Sequence, residues 1–393
     1  MRSTRCFLCF FLLVGASLIV SKLLSTCLAA LPVVAQEDKA VLPPAAREYR
    51  IAFIGLRYYI TWRFLSRILE GQGGPVKLVG IAETEPELIA EAKRRGATEV
   101  PVYADYHTML DEAKPDIVWG FLENNRHLEV MQACAPRKIH VIYQKPLAAT
   151  YRDALAIRAL AQTHGIQVLT HFDIAFYPTT YAAKAKADSG EIGKVWRLHG
   201  IEGHGGMRNR PPNGYFFRWL IDPVQSGAGA LIDFGSYNAL WALWYKGRPE
   251  SVYATALHLR PDEFPKVEDS SVMVLSYKDG VGIFEGSWDL PRSFQQLEVF
   301  GLAGSLQTRG NVEVALRKGS EWEAPQPEVK IEVPALAPEM AGPTEYLAYC
   351  LMNKQPVEGM VALDINVGVI EVIEAAKLSI KTGKAVALPL PLK

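Results

Sequence analysis

A chain of 393 residues exceeds what one hydrophobic core normally serves, so two domains of ordinary size are expected. Lysine plus arginine equals aspartate plus glutamate at 42 each, and no basic run carries interleaved aromatics, which removes nucleic acid as an expected partner and leaves a small molecule as the expected ligand. Of the five cysteines, Cys6, Cys9 and Cys27 crowd the amino terminus, and Cys134 with Cys350 make neither a disulfide framework nor a metal cluster; no metal is expected.

Arg2 and Arg5 precede an apolar run from Cys6 to Val20, with small residues around Val33-Val34-Ala35. This is the pattern of a secretory leader over residues 1–35, followed by a linker over 36–46. An uncleaved anchor is the alternative, since the run is close to the lower length limit of a spanning helix before Lys22 interrupts it. The body is expected to be exported, periplasmic or secreted, free or anchored.

From Tyr49 onward strands and helices alternate. RIAFIGL reads as a strand, TWRFLSRILEG as a helix stopped by glycine, VKLVGIAE as a strand and PELIAEAKRRG as a helix. EVPVYA, PDIVWGFL and IHVIY follow as strands, with YHTMLDEA and NRHLEVMQACAP as the helices between them. Such alternation implies right-handed crossovers and a parallel sheet covered on both faces, so residues 47–170 are expected to form a Rossmann-like, doubly wound α/β domain. After the helix TYRDALAIRALAQTHG and the strand IQVLTHF the pattern changes to consecutive strands, with Lys278-Asp279-Gly280 as a hairpin signal, and two closing helices. Residues 171–393 are therefore expected to form an α+β domain with a large, mostly antiparallel open sheet. The loop GMRNRPPNG, rich in proline and glycine, directly follows a strand end, a position that often carries function.

In an open parallel sheet the ligand lies outside the carboxyl ends of the strands, and the first turn is where a dinucleotide fingerprint belongs. Here only Gly55 of the G-x-G-x-x-G pattern is kept, with Arg57 and Ile60 in the other two places. Either Arg57 contributes a charge-assisted contact to a pyrophosphate, or the nucleotide has been lost. Glu83, at the end of the second strand, favours the first reading, because an acid there binds the adenosine ribose hydroxyls and disfavours the extra phosphate of NADP. A solvated loop acid is the alternative.

Gln144-Lys145-Pro146 after the fifth strand, Asn125 and His127 after the fourth, SGEIGKVWRLHG at the entry to the large sheet, and GAGALIDFGSYNAL with Asp233 and Tyr237 form an ordered set. The set resembles the Gfo/Idh/MocA oxidoreductases, and EGHGG with FRWLIDPVQSGAGALIDFGSY resembles an exported branch of that family. The resemblance implies NAD-linked oxidation or reduction of a sugar or cyclitol carbinol, NADP being the less expected cofactor. By the same resemblance Gly55, Arg57, Glu83, Asn125, His127, Gln144, Lys145 and Pro146 would contact the cofactor, and Lys145, Asp173, His204 and Tyr237 the substrate.

Lys145 is expected to bind the reacting hydroxyl, since a cation beside the oxygen stabilises developing alkoxide charge. Tyr237 stands where the family has histidine, and Gln144 where it has glutamate. A free phenol is a poor base, so Lys145 and Tyr237 are expected to act as a proton-transfer pair oriented by Asp233. The plainer readings are a surface lysine and a core tyrosine. His171 and Asp222 are lesser candidates, and His107, His164 and His199 are taken as structural. Export makes free nicotinamide cofactor scarce, which favours a tightly bound one. Two alternatives stay open: cleavage of a glycosidic bond with no net redox change, and a sugar-binding protein without nucleotide. The family also implies a homo-oligomer.

Overall fold

The computed structural model describes residues 47–206, 214–319 and 327–391. The expected leader and linker lie outside the described residues, as does most of the GMRNRPPNG loop.

Six short strands form the first sheet: β1 (Tyr49–Ile54), β2 (Val76–Ala82), β3 (Val102–Tyr103), β4 (Ile117–Gly120), β5 (His140–Gln144) and β6 (Val168–His171). Their order is β3-β2-β1-β4-β5-β6, and every pair is parallel. Strands covered on both faces need no polar alternation, and every residue of β4 and β6 is buried. Helices α1 (Thr61–Leu69), α2 (Pro86–Arg94), α3 (Tyr106–Ala113), α4 (His127–Cys134) and α5 (Tyr151–His164) make the crossovers. Their ends carry local signals: the Thr150 side chain accepts the Asp153 N–H at 3.1 Å to start α5, and Gly165, at φ +62°, stops it. Strand order reverses between β1 and β4, so the loops after these two strands bound a crevice.

Helix α6 (Pro178–Asp188) leads into the second sheet, whose strands are β7 (Val195–Gly203), β8 (Ser251–Leu257), β9 (Ser270–Tyr277), β10 (Gly280–Ser287), β11 (Phe294–Gly301), β12 (Gly304–Arg309), β13 (Glu313–Lys318), β14 (Val329–Lys330) and β15 (Val386–Ala387). Their order is β14-β13-β12-β11-β7-β10-β9-β8-β15. The pairing of β7 with β10 is parallel, and the other pairings are antiparallel. Helices α7 (Gly214–Leu220), α8 (Ala230–Asp233) and α9 (Gly235–Lys246) lie between β7 and β8 in the chain, and α10 (Pro343–Asn353) and α11 (Leu363–Thr382) come near its end. Helix α11 packs on α9 and β8 and also on α5 and β6, so one helix joins the layers of both sheets. Cys134 and Cys350 are buried free thiols, which assigns both to packing.

Candidate functional site

Strand β5 ends fully buried, and the chain leaves it through a cis peptide between Lys145 and Pro146. The turn is held from several sides. The Lys145 N–H donates to the His171 carbonyl at 3.2 Å, the Tyr58 hydroxyl donates to the Lys145 carbonyl at 2.7 Å, and His127 Nδ1 pairs with the Leu147 carbonyl at 3.0 Å. The Lys145 side chain is thereby aimed inward, and the residue is only 6 % exposed. A buried ammonium needs a countercharge. Asp233 supplies it: Lys145 Nζ is paired with Asp233 Oδ1 and donates to the Asp233 carbonyl at 2.9 Å. The other carboxylate oxygen accepts Trp288 Nε1–H at 2.8 Å. Burial alone would raise the Asp233 carboxyl, but Lys145 and Trp288 override it and hold the group below its ordinary value.

Asp233 closes α8, and α8 begins where the chain slips past β9 with almost no clearance. A Cβ on Gly229 would stand 1.9 Å from the Glu268 carbonyl oxygen, so only glycine fits. The Glu268 side chain in turn accepts the N–H groups of Gly229 and Leu231 at 2.7 and 3.0 Å.

Lys145 and Asp233 line a cavity of about 170 Å³ together with Asp173, Glu202, His204 and Tyr237. Gln144 borders it, its side-chain oxygen joined to His171 Nδ1 at 2.9 Å. Asp173 accepts one hydrogen bond on each oxygen, from the Ile174 N–H at 3.1 Å and the Tyr177 hydroxyl at 2.8 Å. His204 Nδ1 accepts the Gly206 N–H at 3.1 Å, and its ring meets Phe234 edge-on at 5.0 Å. Glu202, the last inward residue of β7, was not singled out by its residue type. The alternation Leu198, Gly200, Glu202 puts it on the covered face, which is visible only once the strand register is known.

The remaining expected residues are placed as follows. The Lys145 amine lies 4.9 Å above the ring centroid of Tyr237, so it meets the π face, and no hydrogen bond joins it to the phenol oxygen among the described residues. The ion-pair partner of Lys145 is Asp233, the residue expected to orient it. Burial also holds the Tyr237 phenol well above its ordinary value. Asn125 is exposed and donates its backbone N–H to the Gln225 carbonyl at 3.0 Å, whereas its neighbour Asn124 is buried and donates its side-chain amide to the Ser226 carbonyl at 2.8 Å. His127 is sealed beneath the lysine–proline turn, stacked on Tyr143 at 4.5 Å, with its pKa pushed by burial to about 4. It supports that turn and lines neither cavity. Asp222 caps a turn by accepting the Val224 and Gln225 N–H groups at 2.9 and 3.1 Å.

A second, smaller cavity of about 100 Å³ sits at the crevice between β1 and β4, lined by Gly55, Arg57, Glu83, Thr84, Tyr106 and Arg126 among others. Gly55 is at φ +78°, and a Cβ there would meet the Phe121 carbonyl at 2.7 Å. The Glu83 carboxylate holds this turn by accepting the Leu56, Thr84 and Glu85 N–H groups at 2.9, 2.8 and 3.1 Å. A tight glycine turn and an acid at the tip of β2 fit the adenosine ribose of a dinucleotide. At the diphosphate end the arginine that could receive an anion is already ion-paired. Arg57 is held by Glu123 at 3.0 Å, Glu85 at 3.4 Å and Glu83 at 3.7 Å, and Arg126, the second guanidinium lining the cavity, is held by Glu123 at 3.4 Å, so a diphosphate would compete with these carboxylates for both arginines. Tyr58 fills the adjoining space, packed on Phe216 and Trp219 at 4.8 and 5.1 Å, and Trp219 Nε1 reaches the Arg57 carbonyl at 3.5 Å.

Comparison with known proteins agrees with this architecture. Residues 49–172 match the family model described as an oxidoreductase family with an NAD-binding Rossmann fold, and residues 180–307 match the GFO/IDH/MocA C-terminal domain. Levoglucosan dehydrogenase of Pseudarthrobacter phenanthrenivorans is 28 % identical over 59 % of this chain and 64 % of its own length. Myo-inositol 2-dehydrogenase of Thermotoga maritima is 25 % identical over 58 % of this chain and 66 % of its own. The matched region thus spans slightly less than two thirds of these curated relatives. A crystal structure of levoglucosan dehydrogenase in complex with NADH and levoglucosan superposes with a TM-score of 0.74 at 20 % identity, covering 87 % of this chain and 100 % of that one, and shows the same fold. Two matched domains in the expected order, built on a parallel six-stranded sheet and a mixed nine-stranded one, place this chain in the Gfo/Idh/MocA family of oxidoreductases.

Proposed function

We propose that the chain is an oxidoreductase acting on a carbinol of a sugar or cyclitol bound in the Lys145 cavity. The observation that carries this reading is the buried Lys145 amine, seated on Asp233 and bordering the cavity that Asp173, Glu202 and His204 also line. When a carbinol carbon gives up hydride, its hydroxyl must lose a proton, and a fixed cation stabilises the charge that develops on oxygen. Lys145 would hold that oxygen while Asp233 and Trp288 hold Lys145. Curated relatives named for levoglucosan, inositol and xylose dehydrogenation support a polyol substrate.

The proposed dinucleotide is NAD rather than NADP, because the carboxylate of Glu83 at the tip of β2 would oppose a ribose phosphate. Its retention through turnover is proposed together with export, for which the leader pattern speaks. Assembly through the outer face of the nine-stranded sheet is proposed from the family resemblance, and Tyr253 and Leu257 stand exposed there on β8.

The test is a measurement of nucleotide released from natively purified protein, by mass spectrometry, joined to a hydride-transfer screen over D-glucose, D-xylose and myo-inositol with added NAD. Bound NAD(H) together with oxidation of one polyol supports the reading. Protein that neither contains nor takes up dinucleotide and transfers no hydride overturns it and leaves a carbohydrate-binding protein.

A further inference from the structure

Three carboxyl side chains line the Lys145 cavity, and they are not equivalent. Asp233 spends both oxygens, one on Lys145 and one on Trp288. Asp173 spends both as well, on the Ile174 N–H and the Tyr177 hydroxyl. Glu202 is 2 % exposed, and its one described hydrogen bond comes from Trp241 Nε1 to Oε1 at 3.3 Å. Its second oxygen has no partner among the described hydrogen bonds. Facing the cavity, that oxygen is open to a hydrogen bond from whatever enters it.

The surroundings decide what that something is. The cavity's about 170 Å³ is small beside the roughly 300 Å³ at which small-molecule sites usually begin, a size that suits one ring. Lys145 is already neutralised by Asp233, and Asp173 adds a further acid group, so the walls disfavour sugar phosphates and uronates. Burial raises the Glu202 carboxyl well above the carboxylate range; the Trp241 hydrogen bond and Lys145 oppose this, and Asp173 adds to it. In the acid form the side chain has an O–H to give to a substrate oxygen.

We propose that Glu202 is a specificity-determining residue whose free oxygen binds a second hydroxyl of a neutral, single-ring polyol while Lys145 binds the reacting one. A site with two such anchors selects a ring that presents both hydroxyls and rejects an analogue lacking either, because the unmatched buried group is then left unpaired. The inference rests on the sugar or cyclitol reading above.

Calorimetric titration of the native, full chain tests it, with D-glucose, D-xylose and myo-inositol as probes and with the monodeoxy derivatives of whichever binds. The wild type should lose at least about 10-fold in affinity for one deoxy derivative besides the one lacking the reacting hydroxyl. Glu202→Ala should bind the parent polyol about 10-fold more weakly and should no longer distinguish that derivative from the parent. Glu202→Gln, which preserves shape and a donor, should retain part of the distinction and guards against a folding defect in the alanine variant. Unchanged deoxy discrimination in Glu202→Ala overturns the proposal, as does a wild type that binds none of the probes. If the coupling to Glu202 is found without hydride transfer, the carbinol reading falls and the binding role stands. If hydride transfer is found with Glu202→Ala discriminating normally, the reverse holds.

Discussion

Arg57 and Glu123 meet at 3.0 Å across the carboxyl ends of β1 and β4, the two strands between which the sheet order reverses. That is the path a dinucleotide's diphosphate takes in this fold. Glu123 also contacts Arg126 at 3.4 Å, so its carboxylate ties the two sides of the crevice. Replacing it by Gln removes one negative charge and the shortest of the three ion pairs of Arg57, which loosens its hold against an incoming anion. Glu123→Gln is expected to bind NAD about 10-fold more tightly than the wild type, measured by quenching of intrinsic fluorescence. Equal or weaker binding would mean that the bridge does not compete with the nucleotide.

Lys145 and Asp233 are buried together, so removing one leaves the other charged without a partner. Lys145→Met should cost about 3–5 kcal/mol of stability in urea unfolding, and the double variant Lys145→Met with Asp233→Asn should recover much of it. A single variant as stable as the wild type would show that the pair is wet and loosely held.

Gly229→Ala forces a methyl against the Glu268 carbonyl, where the available distance is 1.9 Å. The start of α8 must shift, carrying Asp233 with it. The expected outcome is a loss of at least about 2 kcal/mol together with weaker polyol binding. A variant with unchanged melting temperature and unchanged binding would contradict the tight passage.

His127 and His171 are buried as neutral rings, and burial lowers both to about 4 from 6.5. A base whose folded pKa is depressed contributes stability that is full above its unfolded value and is lost as pH falls through the folded one. Thermal stability should therefore decline between about pH 6.5 and 4, by on the order of 3 kcal/mol for each histidine. Glu202 works in the opposite sense: its carboxyl is raised, so its share is full at low pH and is lost as pH rises. A flat profile of melting temperature between pH 7 and 4 would contradict the burial of the two imidazoles.

Much of the first sheet was legible because strands buried on both faces read as unbroken apolar runs and because Gly71 and Gly165 mark helix ends. Lys145, Asp233, Asp173 and His204 could each be named from local pattern, yet their partnerships could not. Lys145 and Asp233 are 88 residues apart, and whether an amine meets a tyrosine's ring or its hydroxyl is a matter of angle that no spacing records. Asn124 and Asn125 are chemically identical neighbours, and only the turn after β4 decides which one faces inward. The loss of glycine at Arg57 was plain in the sequence. Its three carboxylate partners come from two loops, Glu83 and Glu85 after β2 and Glu123 after β4, and became visible only when the sheet brought those loops together.

Helix α11 is buried against α5 on one side and against α9 and β8 on the other. Melting either layer would strip solvent protection from the same shared helix, so the two halves should not come apart in separate steps. Calorimetry on the described body is expected to trace a single peak, and ligands seated at Lys145 should move that peak as a whole.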